Sequence, residues 1–102
     1  MHAATILTEW AASCRAMVTR AEYSANSRTW YAAEAARIVT MVERHDVHAM
    51  AEILERLART NDRAALAYEY QFPHDGLRTE SAMRAFACRA AAVDLLTQQE
   101  AA

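Results

Sequence analysis

The sequence contains no lysine, and it has only one glycine and one proline among 102 residues. Glycine and proline supply most of the backbone conformations that tight turns require. An antiparallel sheet needs such a turn about every 8–12 residues, so this composition argues against all-β and most α/β folds. Alanine, the best helix former, occurs 25 times. The sequence therefore predicts an all-α fold, a compact bundle of four to five helices in one domain over residues 1–102.

Long apolar runs are also missing from the sequence, and no leader sequence is expected. No stretch of about 18 uninterrupted apolar residues occurs, so no transmembrane helix and no membrane partner are expected. The first residues lack the basic and apolar regions of a signal peptide. Cys14 and Cys88 lie on predicted apolar helix faces, which favours buried free thiols over a disulfide. These features predict a cytoplasmic protein.

Charge of one sign is not concentrated anywhere in the chain. Eleven arginines oppose 13 acidic residues, for a formal net charge of −2. Proteins that bind nucleic acid through its phosphates usually carry a basic patch or stripe. The sequence has no such block, which argues against nonspecific nucleic-acid binding.

Apolar residues recur at spacings of three and four, the period of amphipathic helices. Five helices are predicted, at about 2–23, 28–44, 47–60, 63–71 and 80–98. Residues 24–27 are interpreted either as a turn, with Asn26 or Ser27 capping the next helix, or as a kink in one continuous helix. Both alternatives stay open at the level of the sequence.

Three further helix boundaries are predicted from residues that cap helices well. Asp46 is expected to cap the third helix. The triplet Thr60, Asn61 and Asp62 is expected to end that helix and to cap the fourth. Thr79 is expected to cap the last helix, after a turn built on His74-Asp75-Gly76.

The same spacing predicts which side chains form the core. The expected core positions are Ala3, Ile6, Leu7, Trp10, Ala11, Cys14, Met17, Val18 and Ala21; Tyr31, Ala35, Ile38, Val39 and Val42; Val47, Met50, Ile53, Leu54 and Leu57; Leu66 and Tyr70; and Met83, Phe86, Ala87, Ala90, Val93 and Leu96.

Residues that could carry catalysis are not grouped in the sequence. A nucleophilic cysteine needs a nearby base, and no histidine lies near Cys14 or Cys88 in the chain. A single glycine excludes a glycine-rich phosphate loop. We therefore predict a protein that is not an enzyme, with no catalytic residues, no metal site and no cofactor.

The arginine and aromatic residues give the leading functional hypothesis, because Tyr, Trp and Arg most often anchor protein interfaces. We expect a small protein that binds a larger protein or complex stoichiometrically, as an inhibitor, adaptor, antiactivator or chaperone. Proteins of this kind are common in phages and mobile elements. The competing interpretation is that the aromatic residues close the ends of the core. The predicted partner-binding residues form two patches: Arg28, Trp30 and Arg37; and Tyr68, Phe72 and Arg78.

One face of the first helix carries little charge for a solvated surface. Its small side chains would allow another helix to approach closely, so a homodimer through this helix is predicted. The predicted self-association residues are Thr5, Thr8, Ala12, Ala16 and Thr19.

Two alternative functions remain. The helices at 47–60 and 63–71 resemble a helix-turn-helix, so the runner-up is a DNA-binding regulator using this hairpin, although its second helix offers little positive charge beyond Arg63. The third hypothesis is a metal-binding protein with His45 and His48 as ligands. That site would need further ligands, from Glu43, Glu52, His2 or His74.

Overall fold

In the computed structural model, which describes residues 3–71 and 76–101, the chain forms four α-helices and no strands. They are α1 (Ala3–Val18), α2 (Ala25–Glu43), α3 (Val47–Gln71) and α4 (Leu77–Ala101). Consecutive helices pair: α1 packs along α2, and α3 packs along α4. The two hairpins meet where α1 contacts α3 and α4, and where α2 contacts α3. The predicted all-α bundle is confirmed, and none of the described helices is long and apolar enough to cross a membrane.

The chain between α1 and α2 is a turn and not a kinked helix. α1 ends at Val18 rather than at residue 23, and the backbone N–H of Arg20 bonds to the carbonyl of Met17 at 3.3 Å. α2 is capped by Ser24, whose Oγ accepts a hydrogen bond of 3.1 Å from the N–H of Ser27. Asn26 and Ser27, the predicted caps, therefore lie inside α2.

The junction of α2 and α3 uses a Schellman motif, a common way of ending a helix. The N–H of His45 bonds to the carbonyl of Val42 at 3.1 Å, and the N–H of Asp46 bonds to that of Met41 at 2.9 Å. His45 holds the left-handed conformation that this motif requires, with φ of 51°. Asp46 then caps α3 as predicted, because its Oδ1 accepts from the N–H of Ala49 at 3.3 Å.

The region 47–71 is one continuous helix, so the predicted break at residues 60–62 is wrong. Thr60 Oγ1 donates to the carbonyl of Arg56 at 3.0 Å, and Asn61 Nδ2 donates to that of Leu57 at 2.8 Å. Both side chains thus bond within the helix instead of capping a new one, and neither glycine nor proline interrupts the chain there. The helical hairpin on which the DNA-binding alternative depended is not present.

α4 begins earlier than predicted, at Leu77, directly after Gly76 with φ of 78°. Thr79 lies inside the helix and does not cap it. The predicted turn residues His74 and Asp75 lie outside the described residues.

The core forms mainly where the sequence predicted it in α1, α2 and the first half of α3. Leu7, Ile38, Met50 and Leu54 are the largest fully buried apolar side chains. Around them, Trp10, Tyr31, Val42, Val47 and Leu57 are partly buried, as expected for the edges of these faces.

The prediction of which face of α4 points into the bundle is wrong, because the opposite face of this helix is buried. Met83, Phe86 and Val93 are 67%, 75% and 59% exposed, and Ala90 is exposed as well. The residues that pack inward are small or slender, and they let α4 approach α3 closely. They are Ser81, Ala85, Cys88, Ala91, Ala92 and Leu95.

Five other predicted core residues are exposed. Ala21 is one of them, because α1 ends at Val18 and Ala21 lies in the turn that follows. On α3, Leu66 is 57% exposed and Tyr70 is 84% exposed, because continuing the helix through residues 60–62 turns both away from the bundle. Val39 and Leu96 are also exposed, each at the margin of its helix's buried face.

Candidate functional site

The carboxylate of Glu34 is completely buried at the junction of three helices. Its Oε2 accepts a hydrogen bond of 3.2 Å from Trp10 Nε1 in α1 and another from Arg56 in α3. Its Oε1 accepts a hydrogen bond of 2.7 Å from Arg37, three residues further along α2. Burying a charge is costly unless it is paired and hydrogen-bonded, and here both conditions are met. We call these four residues the Glu34 network.

A half-exposed tryptophan lies beside this network. Trp30 is 44% exposed, and its ring contacts Tyr31 edge to face, with centroids 5.2 Å apart. The guanidinium carbon of Arg56 lies 5.6 Å from the centroid of the Trp30 ring. This distance is within the range of a cation–π interaction. Arg56 therefore connects the buried carboxylate to an exposed aromatic ring.

Trp30, Arg37 and Arg56 together form what we call the Trp30 surface. The Arg37 and Arg56 side chains keep 51% and 38% of their area exposed. A guanidinium has five N–H donors, so both arginines retain donors beyond those used on Glu34. The surface therefore presents an apolar ring flanked by two guanidinium groups that are held in place. Glu34 balances one of their two positive charges.

The structure brings together two of the three residues predicted for the first patch, Trp30 and Arg37. Arg28 leaves α2 on the opposite side, because residues two apart on a helix diverge by about 160°. The Nε of Arg28 is buried with no hydrogen-bond partner among the described residues. Glu34 and Arg56 were not among the predicted partner-binding residues. Glu34 nevertheless carried a signal, since it lies three residues after Tyr31 and four before Ile38, beside the predicted core stripe.

Two residues of the second predicted patch, Tyr68 and Arg78, lie near the end of α3 and the start of α4, and the patch stays a prediction. Tyr68 is half-buried, whereas its neighbour Tyr70 is exposed. Arg78 is exposed and forms an ion pair of 3.6 Å with Glu69, across the α3–α4 hairpin. Phe72 lies outside the described residues.

All residues of the predicted self-association face are exposed: Thr5, Thr8, Ala12, Ala16 and Thr19. Thr19 lies just beyond the end of α1, and its Oγ1 donates to the carbonyl of Ala16 at 3.1 Å. The homodimer through this face stays a prediction.

Both cysteines are free and buried, as expected from their positions on apolar faces. Burial raises the pKa of the Cys14 thiol, although the nearby charge of Arg56 partly opposes this effect. Burial also raises the pKa of the Cys88 thiol. A thiol with a raised pKa is a poor nucleophile at neutral pH, because the thiolate is the reactive form.

The histidines do not form a metal site in the part of the chain that the structure describes. No group of three or more His, Cys, Asp or Glu side chains there is arranged to hold a metal ion. His45 is the left-handed residue of the motif that ends α2, and His48 is exposed on α3. His2 and His74, the other candidate ligands, lie outside the described residues.

Comparison with known proteins assigns no class to the chain. No protein-family model, no curated protein and no solved structure matches it. The Trp30 surface and the other exposed features of this bundle are therefore the observations that bear on function.

Proposed function

We propose that the protein is a non-enzymatic, cytoplasmic binding module that binds a larger protein or complex stoichiometrically, with the Trp30 surface as its docking site. Such a module acts as an inhibitor, adaptor, antiactivator or chaperone. The observation that carries the proposal is the contact of Arg56 with both the buried Glu34 carboxylate and the exposed Trp30 ring.

Preorganisation makes this surface suited to binding. Ordering a long side chain on association costs about 0.5–1.5 kcal/mol. Arg37 and Arg56 are already held by Glu34 in the free protein, so less of this cost remains when a partner binds. Trp and Arg are also enriched among the residues that contribute most to interface affinity.

The chemistry of the surface indicates what the partner presents. The remaining N–H donors of Arg37 and Arg56 match a carboxylate or backbone carbonyl groups. The exposed edge of Trp30 matches an apolar side chain. A partner that offers an acidic residue next to an apolar one fits both.

The experiment is affinity capture from a lysate of the source cells, with nuclease treatment and mass spectrometry. Wild type, Trp30→Ala and Val39→Ala are compared. Val39 is the matched control because it is an exposed apolar residue of the same helix, on the side away from Trp30. We expect one stoichiometric protein that survives nuclease, is retained by Val39→Ala and is lost with Trp30→Ala.

Titration of that protein should show at least about 30-fold weaker binding by Trp30→Ala, the loss typical of an interface hot spot. Equal capture by all three proteins would remove the Trp30 surface from the proposal. A partner lost on nuclease treatment would favour nucleic-acid binding instead.

A further inference from the structure

The outer side of α4 carries an apolar stripe that no part of the described chain covers. Met83, Phe86, Ala90 and Val93 are all exposed and lie opposite the face that packs on α3. Their spacing of three, four and three residues is that of the a and d positions of a coiled coil. We call these four residues the α4 stripe. Their spacing fits a second helix that packs along α4.

The chain has a larger solvent-accessible surface and a larger radius of gyration than a compact monomer of the same mass. A compact protein of 11.4 kDa exposes roughly 5,800 Å², whereas this chain exposes 6907 Å². Its radius of gyration is 14.8 Å, against about 13 Å for a compact domain of this length. The excess area of roughly 1,100 Å² is comparable with the ~800 Å² that each partner buries in a standard interface.

The charges beside the α4 stripe favour a second copy of this chain, in parallel orientation. Arg89 borders one edge of the stripe, and Asp94 borders the other. In coiled-coil notation these are a g position and the following e position, which meet across a parallel pair of helices. In an antiparallel pair like edges meet, so Arg89 would lie along the edge that carries Arg89 of the other copy and away from its Asp94. Arg89 already contacts Asp62, but a guanidinium has donors enough for a second carboxylate.

We infer that the protein forms a homodimer in which the α4 stripes of two copies pack in parallel and in register, with Arg89 of each copy paired to Asp94 of the other. This inference goes beyond the proposed function and does not depend on it, because the Trp30 surface lies on α2 and α3. It also differs from the dimer through α1 predicted from the sequence.

The mass of the full chain in solution tests the dimer. Sedimentation equilibrium or light scattering should give twice 11.4 kDa for the wild type. Phe86→Glu should weaken the dimer by at least about 30-fold without changing helix content by circular dichroism. Ala12→Arg, the matched control on the exposed face of α1, should leave the dimer intact.

A cysteine variant tests the orientation. Ala90 is an a position of the α4 stripe, and equivalent a positions face each other only in a parallel, in-register pair. Ala90→Cys should therefore form an intermolecular disulfide on mild oxidation. Ala12→Cys should not. A dimer that does not cross-link through residue 90 would overturn the parallel arrangement.

Two outcomes of the mass measurement would overturn the inference. The first is a wild-type monomer at every soluble concentration, whether or not its α4 stripe binds a different protein. The second is a dimer broken by Ala12→Arg and not by Phe86→Glu, which would place the interface on α1. Because none of these measurements involves Trp30, they leave the proposed function to its own test.

Discussion

The indole Nε1 of Trp10 in α1 donates a hydrogen bond of 3.2 Å to the carboxylate of Glu34 in α2. This contact is one of three that hold a completely buried negative charge where α1, α2 and α3 meet. A buried carboxylate is stable only while its charge and its lone pairs are satisfied. The contact with Trp10 therefore helps to hold α1 against α2, whereas the contact of the same carboxylate with Arg56 in α3 joins the two helical hairpins. Together they fix the carboxylate that holds the arginines of the Trp30 surface.

Glu34→Gln should lower the free energy of unfolding by about 1–3 kcal/mol. The amide keeps the shape of the side chain but removes the charge that both arginines bind. Urea denaturation followed by circular dichroism measures the change. Glu52→Gln, at an exposed position of α3, is the control and should change stability by less than about 0.5 kcal/mol. Equal effects of the two substitutions would mean that the Glu34 network does not stabilise the fold.

Leu54→Ala should lower the free energy of unfolding by about 2–5 kcal/mol, because Leu54 is fully buried and its truncation leaves a cavity. The typical stability of a domain is only about 5–15 kcal/mol, so this variant should be marginally folded. Leu66→Ala, a matched truncation at a residue 57% exposed on the same helix, should cost less than about 1 kcal/mol. The reverse order would mean that the buried face of α3 is assigned incorrectly.

The contact between Asp62 and Arg89 should make the fold sensitive to acid. The hydrogen bond from Arg89 lowers the pKa of the Asp62 carboxyl below its ordinary value. A group whose folded pKa is depressed stabilises the fold above its unfolded pKa of about 3.9, and this contribution is lost as the pH falls through the folded pKa. The urea concentration at the midpoint of unfolding, measured between about pH 2 and 6, should therefore decrease less with falling pH for Asp62→Asn than for the wild type.

An independent check follows Asp62 itself by NMR titration of its carboxyl group. Arg89→Gln should return the pKa of Asp62 towards its ordinary value. An unchanged titration in this variant would show that Arg89 is not the cause of the shift.

His45→Gly should stabilise the protein by about 0.5–1 kcal/mol. His45 has φ of 51°, a conformation that costs L-residues about 1–2 kcal/mol and that glycine adopts freely. For a domain of this size the thermal midpoint should rise by a few degrees. Arg44→Gly is the control, because Arg44 is in the ordinary right-handed region; it should lower the midpoint. A lower midpoint for His45→Gly would contradict the cost assigned to this residue.

Both thiols should react slowly in the folded protein. Cys14 and Cys88 are buried, and burial raises the pKa of each. A colourimetric thiol reagent at mildly alkaline pH should label neither cysteine quickly until urea is added, when both should react at once. Rapid labelling of either cysteine in native protein would contradict its burial.

Local patterns predicted much of the fold from the sequence. The stripe that contains Leu7 and Cys14, and the one that contains Met50 and Leu54, are buried as expected. These segments have one clearly apolar face, so their periodicity allows only one orientation. Asp46 was also predicted correctly as a cap, because its role depends only on its neighbours in the chain.

The candidate site was only half predicted. Trp30 and Arg37 were identified by residue type and by their shared side of α2. Glu34 and Arg56 were not, because their importance comes from a contact between α2 and α3. Nothing in the local sequence separates Arg56 from the other arginines of α3.

The sequence by itself determined that this chain is helical, where α2 ends and α3 begins, and which faces of α1 and the first half of α3 turn inward, since these depend on neighbours within one or two turns. The tertiary structure decided the rest. α4 has two faces whose residue spacing suits packing against another helix. One contains Met83 and Phe86, and the other contains Ala85 and Ala92. Only the second is buried, because its small side chains let α3 approach closely. Likewise, Glu34 is buried because Trp10 and Arg56, from two other helices, meet its carboxylate there.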